Sequence, residues 1–155
     1  MKRSTKIALL LSIFIIAGAG AVYYYRLNKV NAAPKPGTLS YYLRLSSIVR
    51  NVPIVSPHGS PVYFSTVSDG SKLPSSEVTY TSTETDEKSI VEKTLRYLSE
   101  KGFTPAAADL GITQVGGPGR KPLHRASMIK EDEAIAFEID LLENKQLEVK
   151  LKHFE

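Results

Sequence analysis

Two short stretches of this chain carry residue types that chemistry uses. Gly116-Gly117-Pro118-Gly119-Arg120-Lys121 has the glycines and the lysine of a phosphate-binding loop. Such a loop needs Ser or Thr after the lysine and a helix opening directly behind it, so that backbone N–H groups converge on the anion. Here Pro122 follows Lys121 and no helical periodicity begins, so nucleotide binding is not expected. Ser127-Met128-Ile129-Lys130 matches the Ser-x-x-Lys of penicillin-recognising enzymes. That chemistry places the serine at a helix start, where the lysine one turn later reaches its hydroxyl. Residues 126–130 read as a strand, in which residues three apart point to opposite faces. The accompanying Lys-Thr-Gly is also absent.

The three histidines, His58, His124 and His153, fall in two apparent loops and at the C-terminal end. None has the spacing to a second His or Glu that a zinc site uses, and solvated histidines are expected. Glu131-Asp132-Glu133 lacks calcium-loop spacing and reads as a solvated turn between strands. With no cysteine, disulfides, thiolate nucleophiles and Cys-ligated zinc are excluded. The expected catalytic, cofactor and metal sets are therefore all empty. One cluster stands apart: Arg120, Lys121, His124, Arg125 and Lys130, on a glycine-rich loop. It is the candidate contact for an anionic partner, whether lipid, an envelope polymer or an acidic protein.

Where the charge sits matters more than its sum. The 155 residues carry a net +4. Lys2, Arg3 and Lys6 open the chain. Residues 26–68 then hold Arg26, Lys29, Lys35, Arg44 and Arg50 with no Asp or Glu, and residues 69–155 hold 12 basic and 16 acidic side chains. A nucleic-acid reader shows basic residues clustered on a folded face with aromatics between them, so no nucleic-acid partner is expected. The basic excess instead flanks a hydrophobic stretch, where it would meet anionic lipid head groups.

That stretch is Ile7 to Tyr25, 19 residues without a charge. At about 1.5 Å per helical residue it nearly crosses a ~30 Å hydrocarbon core. Tyr23, Tyr24 and Tyr25 followed by Arg26 resemble an interfacial aromatic belt with a basic stop. The alternative is a signal peptide cut after Ala21, because Ala19-Gly20-Ala21 suits a small-x-small cleavage site. Ala17 and Ala21 also form a small-xxx-small pair, through which helices can approach closely. The expected organisation is a basic tail (1–6), a transmembrane or signal segment (7–25), a proline-containing linker (26–37) and an extracytoplasmic domain (38–155).

Within the domain, the spacing of Tyr41, Leu45, Ile48, Val49 and Val52 predicts a helix from a Thr38 cap to Pro53, though alternation at Leu39, Tyr41, Leu43 and Leu45 also fits a strand. Strands are expected over Val62–Val67 and Glu77–Thr83, with an Asp69-Gly70 turn between them. The stripe Ile90, Val91, Thr94, Leu95, Leu98 predicts a helix over Asp86–Lys101. It starts at a Thr83/Asp86 capping box and stops at a left-handed Gly102, after which Phe103 drops into the core. Residues 104–125 read as loop. Alternation over 135–141 and 147–151 closes the chain in a hairpin with one apolar and one charged face. Setting Leu141 opposite Val149 would pair Asp140 with Lys150 and Glu138 with Lys152, so that register is expected. The core expected from these elements is Val78, Tyr80, Ile90, Leu95, Leu98, Phe103, Ile135, Phe137, Ile139, Val149 and Leu151. The fold class is α+β: an N-terminal transmembrane helix, then one helix packed on a four- or five-stranded antiparallel sheet ending in a C-terminal β-hairpin.

Asn51-Val52-Pro53, the VTYTS strand at 78–82, the helix VEKTLRYLSEKGF at 91–103 and the closing hairpin together resemble small α+β domains of bacterial envelope proteins. The resemblance spans about residues 51–155 and carries no active site. It implies a membrane-anchored or secreted domain. The functional expectation is a membrane-tethered binding or accessory module that is not an enzyme. A secreted inhibitor or ligand-binding protein is the alternative. A hydrolase built from scattered Asp, Glu and His residues is the third reading.

Overall fold

The computed structural model describes residues 12–16, 18–24, 31–68, 73–107 and 118–155. The expected Asp69-Gly70 turn, Ala17, Arg26, Lys29, the first linker residues and Gly116-Gly117 lie outside them, as do both ends of the 7–25 stretch. The chain forms two compact units, 1–30 and 31–155. In the first, residues 12–16 and 18–24 are helical. Ile13, Phe14, Ile15, Ile16, Val22, Tyr23 and Tyr24 are all exposed. Among the described residues no helix is long and apolar enough to cross a membrane.

The second unit is α+β. It opens with two short helices, α1 (Leu39–Arg44) and α2 (Ser47–Asn51), where the apolar spacing predicts one. The break has a local cause. Ser46 adopts an extended backbone and caps α2 by accepting the Val49 N–H at 3.2 Å. Its own N–H donates to Ser76 Oγ at 2.9 Å. Thr38 caps α1 as expected, accepting from the Tyr41 N–H at 3.2 Å. Each cap satisfies a donor that a helix start leaves open.

Strands β1 (Val62–Thr66) and β2 (Ser75–Thr83) follow. A single 3₁₀ turn over Glu84–Asp86 leads into α3 (Glu87–Glu100). The expected capping box does not form. The Thr83 hydroxyl donates to Asp86 Oδ2 at 2.6 Å, so the carboxylate is held by side chains instead of capping the helix. The C-terminus of α3 ends as expected. Gly102 takes φ 89°, its N–H donates to Ser99 O at 2.9 Å, and the Phe103 N–H reaches back to Leu98 O at 3.1 Å. These are the two bonds of a Schellman motif, and they turn Phe103 into the core, where it is buried.

Strand β3 is only Thr104–Pro105, and β4 (Arg120–Lys130), β5 (Glu133–Leu142) and β6 (Gln146–Phe154) complete the domain. The sheet has six antiparallel strands in the order β1-β2-β6-β5-β4-β3, one more than the largest number expected. The loop expected over 104–125 ends earlier: β4 begins at Arg120. A register shift between Pro122 and His124 lets the strand carry a proline that has no N–H to give.

The closing hairpin is present, but its register is not the expected one. Leu141 faces Leu147, Glu138 faces Lys150, and Asp140 faces Glu148. Two opposed carboxylates would repel. The third strand removes the conflict: Arg125 of β4 pairs with Asp140 and Arg120 pairs with Glu148.

The core lies on one face of the sheet. Val78 and Tyr80 of β2, Leu147, Val149 and Leu151 of β6, Ile135, Phe137 and Ile139 of β5, and Met128 of β4 are buried there with Ile90 and Leu98 of α3 and Phe103. Leu95 of the expected core is only partly buried. α1 and α2 add Tyr41, Ile48 and Val49, and the link between them adds Leu45. The sheet's other face is charged.

Candidate functional site

The structure puts all five residues of the basic cluster on β4 but does not bring them to one surface. Arg120, Lys121, His124 and Arg125 lie on a strand where the sequence suggests a loop, and Lys130 lies on the strand expected over 126–130. His124 turns toward the core, its ring centroid 5.3 Å from that of Phe137. Its Nε2 is buried and has no hydrogen-bond partner among the described residues. Burial lowers its pKa from the ordinary value, and Arg125 pushes the same way against the opposing pull of Glu87. Lys130 Nζ sits 5.8 Å from the Phe103 ring centroid. Ser127 stands opposite Ala136 on the other face from Met128, which is in the core, so the strand separates Ser127 from Lys130 as its geometry requires. Gly119 (φ 73°) leads into this strand, not into a helix.

Arg125 and Arg120 point to the charged face and are engaged there. Arg125 pairs with Asp140, and its other guanidinium nitrogen donates to Ile139 O at 3.1 Å and His124 O at 2.8 Å. The register continues the pattern, with Lys152 opposite Glu77 and Lys150 opposite Glu138. Glu138 and Asp140 are 4 % and 6 % exposed on this face. The apolar stems of neighbouring long side chains close over such groups while their charged ends stay wet. Lys121, exposed, borders a shallow open recess of about 460 Å³ with Arg120, Leu141, Leu142, Glu143 and Lys145. Two of the five cluster residues are thus neutralised by carboxylates, and a third, His124, is half-buried against Phe137.

Two of the three histidines expected to be solvated are not: His124 and His153 both lie on strands and face inward. His153 has Nε2 at 3.1 Å from Glu133 Oε2 and Nδ1 at 3.4 Å from Glu155 Oε1, with its ring edge-on to Phe103. The nearby His153 holds the Glu155 carboxyl below its usual range, against the opposing effect of burial. Of the expected solvated turn Glu131-Asp132-Glu133, Glu131 and Asp132 are exposed between β4 and β5, but Glu133 begins β5 and is half-buried, facing His153. Among the described residues no three His, Asp or Glu side chains group as a metal site would require.

The β1 edge holds a feature that composition does not signal. Ala32 and Ser65 exchange both backbone hydrogen bonds, at 2.9 and 2.8 Å, and Asn31 Oδ1 accepts from the Val67 N–H at 3.1 Å. The linker expected over 26–37 is therefore partly ordered, because residues 31–32 bridge to the outer strand. Beside them Tyr41 packs edge-on against Tyr63 with ring centroids 5.0 Å apart. Burial and the Tyr41 hydroxyl raise the Tyr63 pKa above its ordinary value. On the outer side of α1, Leu39, Tyr42 and Leu43 are 61 %, 55 % and 58 % exposed. The Arg50 guanidinium lies 5.4 Å from the Tyr42 ring centroid. The stretch free of acidic residues noted in the sequence thus folds into an apolar and aromatic surface with cations around it. Comparison of the chain with family models, characterised proteins and solved structures finds no match.

Proposed function

We propose that this chain is a single-pass, membrane-tethered module whose domain works outside the cytoplasm as a binding or accessory unit and not as an enzyme. The observation that carries the reading is the first unit's run of exposed apolar side chains. Ile13 to Ile16 and Val22 to Tyr24 are helical and have no core to enter. Such a surface is stable in hydrocarbon and costly in water. The charge-free length of 7–25, the preceding Lys2, Arg3 and Lys6, and the tyrosines before Arg26 support a span with the N-terminus inside. The binding role is favoured by the way the ionisable groups are used. Arg125, Arg120 and His153 are each engaged by a carboxylate that holds the sheet together. A partner protein or an anionic envelope polymer is the expected ligand class.

Because the chain lacks cysteine, introduced thiols report topology cleanly. Ser60→Cys should react with a membrane-impermeant maleimide in intact cells, and Ser4→Cys only after lysis. The protein should stay with membranes through alkaline extraction. Recovery from the cytosol with residues 1–25 intact would overturn the reading. A mature N-terminus at Val22 would replace it with the secreted inhibitor or ligand-binding protein that Ala19-Gly20-Ala21 favours.

A further inference from the structure

We propose that the outer face of α1, formed by Leu39, Tyr42 and Leu43 with Lys35 and Arg50 at its rim, lies on the bilayer surface among anionic lipid head groups. The inference rests on the membrane tether proposed above and adds the surface by which the domain meets the lipid.

Three observations carry it. The first is chain length. Ala32 is fixed to Ser65, so only residues 25–30 separate the last described helical residue, Tyr24, from a domain-bound Asn31. A fully extended chain of that length spans at most about 25 Å. On the tether reading, chain connectivity alone sets that upper limit between Tyr24 and Asn31, whose side chain is bonded to the β1 edge. α1 stands at that edge, since Tyr41 on its inner side packs on Tyr63 of β1.

The second observation is chemistry. α1 is six residues long and presents two leucines and a tyrosine to solvent. The sequence from 26 to 68 contains five cations and no carboxylate, and of the five Lys35, Arg44 and Arg50 are among the described residues. Aromatic and aliphatic groups ringed by Lys and Arg suit the head-group boundary, where rings enter the interface and cations meet anionic lipid.

The third is the Arg50–Tyr42 stack. It places a cation against an aromatic face, so the pair can enter the boundary with the ring toward the acyl chains and the guanidinium toward phosphate.

The chain contains no tryptophan, so one introduced indole reports its own depth. Full-length protein carrying Phe14→Trp, Leu43→Trp or Val62→Trp would be reconstituted into vesicles of phosphatidylcholine with phosphatidylglycerol, and of phosphatidylcholine alone. The acyl chains would be brominated near the head group in one set of vesicles, and near the chain terminus in a second set that reads Phe14→Trp, which lies close to the middle of the 7–25 stretch. Val62 is as exposed as Leu43 and lies on β1, but on the sheet face opposite the core. Both substitutions are at exposed positions, and far-UV circular dichroism checks the fold. The Leu43→Trp indole should be blue-shifted and quenched in the anionic vesicles, with the quenching lost in neutral vesicles and reduced by Lys35→Glu. The Val62→Trp indole should stay unquenched. If Leu43→Trp is unquenched while Phe14→Trp is quenched, the domain is tethered but α1 does not dock, and the proposal falls alone. Equal quenching at Val62 would show that the edge and not the α1 face meets lipid, which also overturns it. If Phe14→Trp is itself unquenched, the tether falls and this inference falls with it.

Discussion

The two faces of the six-stranded sheet solve the same problem with different physics. On the core face, Phe137, Ile139, Val149 and Leu151 are stabilised by removing apolar surface from water, a term that needs volume and not partners. On the other face, Glu138 and Asp140 are almost as buried, and burial alone would penalise them. They are stable because Arg125 and the cross-strand Lys150 stand in the right register. The comparison teaches that the apolar face tells which residues go in, while the charged face tells how the strands align.

Substitutions sharpen this contrast. The largest effect is expected at Phe137, which is fully buried. Phe137→Ala should lower the unfolding free energy by about 4 kcal/mol, from the lost transfer and the cavity together, read from the denaturant midpoint at unchanged slope. Arg125→Met leaves the Asp140 carboxylate nearly buried without its partner and should cost about 2 kcal/mol. The double variant Arg125→Met with Asp140→Leu should recover most of that loss. A double variant as weak as the sum of the singles would show that the charged face is held by volume after all.

The third test is pH. The folded pKa of His124 is lowered by burial, so between that value and the ordinary one the unfolded chain binds more protons than the folded chain. Stability therefore rises with pH there. It is complete above the unfolded value near 6.5 and is lost as pH falls through the folded one. Glu155, also lowered, contributes in the same direction at more acidic pH: its share is present above the unfolded carboxylate value and fades as pH falls through the folded value. His124→Phe should flatten the upper part of this acid loss in thermal melts at successive pH values and leave the lower part. The smallest effect belongs to the exposed Arg96–Glu92 pair on α3. Arg96→Ala should change stability by no more than about 0.5 kcal/mol, measured in the same denaturation series.

The same contrast explains what was legible beforehand. α3 could be read because Ile90, Thr94 and Leu98 repeat at helical spacing and Gly102 supplies the only backbone that ends it in this way. β5 and β6 could be read from alternation. Their register could not, because charges counted across two strands omit the arginines of a third. The first half of β4 resembles a loop because Pro118, Gly119 and Pro122 crowd it, and only pairing with β5 makes it a strand. His124 and His153 look solvated in the sequence because a histidine shows no burial signal unless the strand around it is recognised. At the candidate surface, the absence of acids over 26–68 was visible, but the apolar face of α1 needed the helix break at Ser46. The Ala32–Ser65 bridge is made by backbone atoms and leaves no mark in residue type.

That bridge also has a mechanical consequence. Two hydrogen bonds and the Asn31 side chain are what clasp the incoming strand to Ser65 and Val67. A pull on the N-terminal segment loads this clasp before it loads β1. Opening it would free residues 31–33, as far as the buried Pro34, and lengthen the leash by about 10 Å while every strand of the sheet stays paired.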